Sequence, residues 1–164
     1  MAIKLEGKDR WTMTKDSYEF DWRLRHAVYR HFASTGSAPS VEELAEGTGE
    51  SVPEVEATLH RLADKHHALA LAPGTSNIWM AWPFSAVPTA YPVKTAKRTY
   101  WANCAWDALS IPGLVGLDAH TSYNCPDCLE EINLSVIDGL LSPTDSVVHF
   151  AVPPRRFYDN VAFT

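Results

Sequence analysis

Three prolines, Pro83, Pro88 and Pro92, fall within "PFSAVPTAYPVK", and that spacing decides what the chain can become on either side. Proline has no N–H to give a helix and its ring collides with the preceding turn, so no helix crosses this stretch. It reads as a linker over 83–93, separating residues 1–82 from residues 94–164. In the first part the apolar residues Phe20, Leu24, Val28 and Phe32 recur every four positions, which is helix periodicity, and "STG" closes that helix. Ser40 followed by Glu43 forms a capping box for a second helix with Val41, Leu44 and Ala45 facing inward. Ser51 caps a third, with Pro53 in its first turn and Val55, Leu59 and Leu62 as its stripe. "ALALAPGTSNIWMAWPF" then gives two short strands around a Pro-Gly turn. Three helices followed by a hairpin is the winged helix-turn-helix pattern.

The part after the prolines has a different character. "KRTYWANCAWDALSIPGL" starts as a strand and becomes a short helix, with Asn103 as its expected N-cap and Pro112-Gly113 as its expected stop. "AHTSYNC", "EEINLSV", "SVVHFAV" and "NVAFT" are short β-like segments joined by turns. The fold class expected is therefore α+β, with a winged-helix-like N-terminal region and a small, mostly antiparallel mixed core.

The charge balance limits the partners. Fourteen basic against twenty acidic residues give a net charge of −6, which disfavours nucleic acid and anionic membranes as partners. The third helix, which would read DNA, carries Glu54, Glu56 and Asp64 against Arg61 and Lys65, and its leading end is acidic. No apolar run approaches the roughly 20 residues of a bilayer span. The opening "MAIKLEGKDRWTM" lacks the apolar core of a secretory signal, so a cytoplasmic location is expected. Three cysteines in that setting read as free thiols or metal ligands before disulfides.

Cys104 and Asp107, in "NCAWDA", are the first candidates for chemistry. With Asn103 as cap, Cys104 enters the first helical turn, where free N–H groups and the helix dipole favour a thiolate. Asp107 lies one turn on, about 5–6 Å away between Cβ atoms. A carboxylate there raises the thiol pKa unless the two share a proton. Such sharing suits a reaction that sends a proton to one product atom while sulfur binds another. The plainer reading is a small buried cysteine beside a solvated aspartate.

Cys125 and Cys128 form "CPDC". That spacing supplies half of a tetrahedral zinc site, for which His120, His149 and Cys104 are the remaining candidate ligands, or simply a tight turn with Pro126 and Asp127 at its tip. No βαβ pattern supports a thioredoxin-like role. His149 alternates with apolar neighbours as a strand histidine would. His66 and His67 follow a helix end, where positive charge suits the dipole. Arg155 and Arg156 are placed to pair with Asp159 or to hold an anion. Trp101, Trp106, Phe157 and Tyr158 read as core or pocket walls.

"YWANCAWDALSIPGLVG", "AHTSYNCPDC" and "VVHFAVPPRRFYDNVAFT" together resemble the organomercurial (alkylmercury) lyases. The family pattern aromatic-x-x-C-A-x-D-x-L-x-x-P matches Trp101 to Pro112, and a downstream cysteine in a strand-turn setting matches Cys125. The likeness covers residues 95–164 well and the N-terminal half in outline. It implies protonolysis of a carbon–mercury bond, yielding a hydrocarbon and Hg(II). Mercury is a soft cation and thiolate its ligand of choice. Cys104 would bind the metal and Asp107 would manage the proton, so both would contact the substrate mercury. Cys125 would be structural. No organic cofactor is implied. Hg(II) would pass to cellular thiols or to a mercuric reductase.

The resemblance also implies a second catalytic cysteine directly after a segment like "FYDNVAFT", where the sequence ends at Thr164. The expectation is a chain cut short there, by cloning or by a codon read as stop, with selenocysteine as a chemically apt occupant. Two other readings compete: a non-enzymatic winged-helix regulator or thiol metal sensor using Cys104, Cys125 and Cys128, and a lyase-fold relative acting on another organometal.

Overall fold

The computed structural model describes residues 15–150, 152–157 and 159. Helix α1 (Lys15–Thr35) buries Phe20, Leu24, Val28 and Phe32, the four-residue stripe of the sequence. Helix α2 (Val41–Thr48) starts at the expected capping box. The Glu43 N–H donates to Ser40 Oγ at 3.1 Å, and the Ser40 N–H donates to the Glu43 carboxylate at 2.7 Å. Gly49 ends it in the left-handed region at φ 74°, a conformation that costs glycine little. Helix α3 (Val52–Asp64) is capped by Ser51 and buries Val55, Leu59 and Leu62 against α1 and α2. Asp21 of α1 is fully buried, but its carboxylate is answered twice: Arg61 Nε donates at 2.9 Å and His66 Nε2 lies 3.1 Å away. A buried charge needs such partners to be tolerated.

Strands β1 (Ala70–Leu71) and β2 (Ile78–Ala81) form the hairpin expected around Pro73-Gly74. The linker expected over 83–93 is not observed. Residues Phe84–Ser85 form β3 and Tyr91–Thr95 form β4, and both belong to the same sheet as the hairpin. The prolines are accommodated by position. Pro83 lies in the turn before β3 and Pro88 in the connection after it. Pro92 pairs with Trp101 on one side of β4, while pairing to the other neighbour begins only at Val93. Its missing N–H therefore leaves no ladder bond unmade.

Strand β5 (Thr99–Ala102), helix α4 (Ala105–Val115), and strands β6 (Ala119–Asn124), β7 (Glu131–Ile137) and β8 (Leu140–Leu141) follow. The sheet order is β1-β2-β3-β5-β4-β6-β7-β8, antiparallel throughout, so the chain is α+β with a mostly antiparallel core. Helix α4 lays Ala108, Leu109 and Pro112 near Val93, Ala119, Leu134 and Val136 of the sheet. It does not stop at Pro112-Gly113. It runs on to Val115 and is closed by Gly116 at φ 64°. Pro112 sits late in the helix, where its buried ring replaces the one ladder bond it cannot make.

"VVHF" is not a strand: residues 147–150 have no regular structure, and His149 is exposed. The expected strand "NVAFT" lies outside the described residues, as does Tyr158. No described helix is long and apolar enough to cross a membrane.

One ring joins the helices to the sheet. Phe84 of β3 is 2% exposed and stacks on Phe32 of α1 at 5.3 Å between centroids, with Tyr100 of β5 at 5.8 Å and Tyr29 at 6.4 Å. The Tyr100 hydroxyl donates to the Ala33 carbonyl at 2.7 Å, a second tie between the same layers. Phe84→Ala is expected to lower stability by about 3–5 kcal/mol, measured by urea unfolding. A loss below about 1 kcal/mol would show that the helices and sheet do not depend on this ring.

Candidate active site

The end of β5 is held from both sides. Ala102 pairs with Phe84 of β3 and with Tyr91 of β4, and its carbonyl accepts from the Thr89 hydroxyl at 2.6 Å. Asn103 comes next. Its backbone N–H donates to the Pro83 carbonyl at 3.4 Å and its side-chain amide to the Phe84 carbonyl at 3.3 Å. With Asn103 spent on β3, the N-cap of α4 is not Asn103 but Cys104, extended at φ −150° and ψ 178°. Its sulfur takes the place usually held by a serine or aspartate oxygen. Cys104 Sγ accepts the Asp107 backbone N–H at 3.5 Å.

The two candidate side chains are brought together. Burial pushes the Cys104 thiol up, and the Asp107 carboxylate adds to the shift. The backbone N–H groups of Asp107 and Trp106 pull the other way without prevailing. Burial also raises the Asp107 carboxyl, against hydrogen bonds from the Asn103 and Cys104 side chains that favour its ionised form. Thiol and carboxyl thus stand close enough to perturb each other, and each resists carrying a full charge. They form a pair through which a single proton can move.

Two tyrosines complete this end of the sheet. Tyr91 of β4 and Tyr123 of β6 meet edge-on at 5.0 Å between centroids. Burial raises both hydroxyls above the ordinary range, and the Cys104 and Cys125 sulfurs reinforce the shift at each. The rings therefore stand as neutral walls beside both cysteines. Sequence reading missed them. The signal was the placement of Tyr123 two residues before Cys125, on the same face of the strand, but it has meaning only once β4 and β6 are known to be neighbours.

Cys125 begins the turn between β6 and β7. Its N–H donates to the Glu130 carbonyl at 2.8 Å, and its carbonyl accepts from Leu129 at 2.9 Å. The backbone N–H groups of Cys128 and Asp127, with the Cys128 side chain, favour the Cys125 thiolate and lower its pKa. Cys128 is exposed. The Glu130 N–H favours its thiolate, but the Cys125 thiol, desolvation and the Glu130 carboxylate together outweigh this and raise the thiol. "CPDC" is thus a turn, as one of the expected readings had it, closed by the Leu129 N–H on the Cys125 carbonyl. Among the described residues, no group of three or more His, Cys, Asp or Glu side chains is placed to hold a metal ion. His120 is hydrogen-bonded to Ser135 at 2.8 Å.

The remaining candidates are spread over the molecule. His66 is tied to Asp21, and His67 follows it at φ 48°. Arg156 pairs with Asp159 at 2.9 Å on the surface, while Arg155 is exposed. Trp101 is half-buried. Trp106 is half exposed and meets Phe150 at 6.3 Å, which in turn meets Phe157 at 5.5 Å, so these rings form a rim on the α4 side. A groove of about 640 Å³ runs between α1 and α2 beside Arg30, His31 and Glu43, and no cysteine borders it.

The chemistry-bearing residues all fall within one recognised stretch. Residues 84–164 match the family model described as alkylmercury lyase, MerB. This segment belongs to the alkylmercury lyase family. A solved structure described as the mercury-bound form of MerB2 is similar in fold. Its TM-score is 0.63 at 22% sequence identity, over 82% of this chain and 62% of that one. The present chain thus spans about three-fifths of that protein's length. No curated protein sequence matches it.

The coupling of the pair is open to test. Asp107→Asn removes the negative charge beside the thiol, so Cys104 should alkylate several-fold faster with iodoacetamide near pH 8, followed peptide by peptide by mass spectrometry. An unchanged or slower rate would mean that the carboxylate does not govern the thiol. Stability gives a second readout. Because the native Asp107 carboxyl is raised, the folded protein binds more protons than the unfolded chain between the ordinary carboxylate value and the native one. Stability therefore falls as pH rises through that window. Asp107→Asn should flatten that decline in melting curves taken across acid to neutral pH.

Proposed function

We propose that this chain is a carbon–mercury lyase acting on small organomercurials. The observation that carries the reading is the Cys104–Asp107 pair at the start of α4, inside the segment shared with the alkylmercury lyases. There the Asp107 backbone N–H donates to Cys104 Sγ at 3.5 Å, and thiol and carboxyl are both raised. In the first step the Cys104 thiol passes its proton to the Asp107 carboxylate as sulfur binds mercury and displaces the thiolate the organomercurial arrived with. In the second, the Asp107 carboxyl returns that proton to the carbon bonded to mercury. The carbon–mercury bond breaks, its electron pair goes to the new C–H bond, and the hydrocarbon leaves. A solution thiolate fills the vacated position on Hg(II), and Asp107 is again a carboxylate. Mercury is substrate and product here, and no organic cofactor enters.

Several finer points belong to the same reading. The three helices and the β1–β2 hairpin serve as a winged-helix-like packing module, and the site works in the cytoplasm with cellular thiols or a mercuric reductase as Hg(II) acceptors. The regulator alternative is weaker, because Arg61 of α3 is turned inward onto Asp21 and Thr58 and is not offered to a nucleic-acid groove. A second catalytic cysteine after position 164 would add another thiolate to the mercury and speed cleavage.

The test is benzene release from phenylmercuric acetate in excess thiol, measured by headspace gas chromatography. Cleavage should fall to background in Cys104→Ser and by about 100-fold or more in Asp107→Asn. A cysteine appended after Thr164 should raise the rate. Undiminished cleavage by Cys104→Ser, or none from either length of chain, would overturn the proposal.

A further inference from the structure

The CPDC turn has no part in the cleavage chemistry, yet its geometry is that of a ligand pair. Leu129 at φ 64° folds the chain back and its N–H closes on the Cys125 carbonyl at 2.9 Å, so that one tight turn carries both cysteines. Cys125 is half-buried and Cys128 exposed, the latter with a 3.7 Å hydrogen bond to the Glu130 carboxylate. The fold also fixes where this pair lies. Cys104 continues from the end of β5 and Cys125 from the end of β6, and β4 runs between those two strands. Two strand spacings put the backbones of Cys104 and Cys125 about 10 Å apart at one end of the sheet. The Tyr91–Tyr123 pair stands beside both sulfurs.

We infer that Cys125 and Cys128 form a second, two-thiol site for Hg(II), which takes the ion over from Cys104. The donor set selects the ion. Zinc asks for four ligands in a tetrahedron, and among the described residues no group of three or more His, Cys, Asp or Glu side chains is placed to hold it. Hg(II) is soft and is satisfied by two thiolates in line, so a dithiol short of a tetrahedral ligand set favours mercury. The transfer is thiolate exchange with no change of oxidation state. The Cys125 thiolate binds Hg(II) held by Cys104 and a solution thiolate, and Cys104 leaves as thiolate. The Cys128 thiol then displaces the solution thiolate, which departs with the Cys128 proton, leaving Hg(II) bridged between Cys125 and Cys128. Cys104 is freed for another substrate. The transfer rests on the lyase reading. The two-thiol site does not.

The test therefore supplies HgCl2 directly, so no cleavage is needed and a failure of the lyase activity leaves it readable. The full chain receives one equivalent of HgCl2 with glutathione as competitor, and each cysteine is then labelled with N-ethylmaleimide and compared with its mercury-free control by mass spectrometry. Cys125 and Cys128 should be protected at least tenfold, with Cys104 left open, and the protection should persist in Cys104→Ser. Cys128→Ser, a change at an exposed position that leaves the turn's backbone bonds in place, should weaken retention of mercury against glutathione by roughly 100-fold, the loss expected when a chelate becomes a single ligand. Protection of Cys104 with both turn cysteines labelled, or equal retention by Cys128→Ser and the unaltered chain, would overturn the inference.

Discussion

The position of the thiol depends on Phe84. Its ring is clamped between Phe32 of α1 and Tyr100 of β5, which fixes β3 against the helices. Its backbone then does the rest: Phe84 pairs with Ala102, and its carbonyl takes the Asn103 amide. Those two contacts end β5 and turn the chain, so that the next residue, Cys104, opens α4. Burial energy concentrated in one aromatic cluster is thereby converted into the placement of a sulfur atom two residues further on. A rigid element supporting a functional loop is the general form of this arrangement, because a loop by itself holds geometry poorly.

The N-terminal helices act through the same cluster. The core formed by Leu24, Val28, Val55, Leu59 and Leu62 is continuous with Phe84, Tyr100, Val93 and Ile111. Asp21, with Arg61 and His66, locks α1 to the chain following α3 and sets the face that α1 turns toward the sheet. Without these helices β3 would have one face open, and Asn103 would lose the fixed carbonyl to which it is bound.

What was legible in the sequence was local. Ser40 with Glu43 and Ser51 with Pro53 announce helix starts because a cap is read within four residues, and both appear as expected. The Cys104–Asp107 contact was legible for the same reason. Non-local pairing was not. The prolines of 83–93 read as a linker, since nothing in that segment tells that Pro92 meets a neighbour on one side only. Asn103 was the better cap by propensity, but it is drawn away by the Phe84 carbonyl, and the cap falls to a cysteine. Tyr91 and Tyr123 are joined only by the pairing of β4 with β6. "VVHF" alternates as a strand would, yet its apolar side chains find no sheet to cover, and Val147 remains 86% exposed.

The site's electrostatics favour proton delivery over thiolate reactivity. A carboxyl at its ordinary pKa is ionised near neutrality and has no proton to give to carbon. Asp107 is moved toward the protonated form by burial, but not freely: Asn103 and Cys104 hydrogen-bond its ionised form and limit the shift. Cys104 is raised in turn, which slows attack by a bare thiolate on an arbitrary electrophile. Under the proposed function that cost would disappear for a substrate that binds sulfur strongly enough to drive the proton off, because the Asp107 carboxylate stands beside the thiol to receive it. A soft metal bonded to carbon meets that condition, whereas a weak electrophile does not. Under the proposed function, selectivity at this end of the sheet would arise from a thiol that ionises only against a partner worth the proton, with Tyr91 and Tyr123 holding the surroundings neutral while it does so.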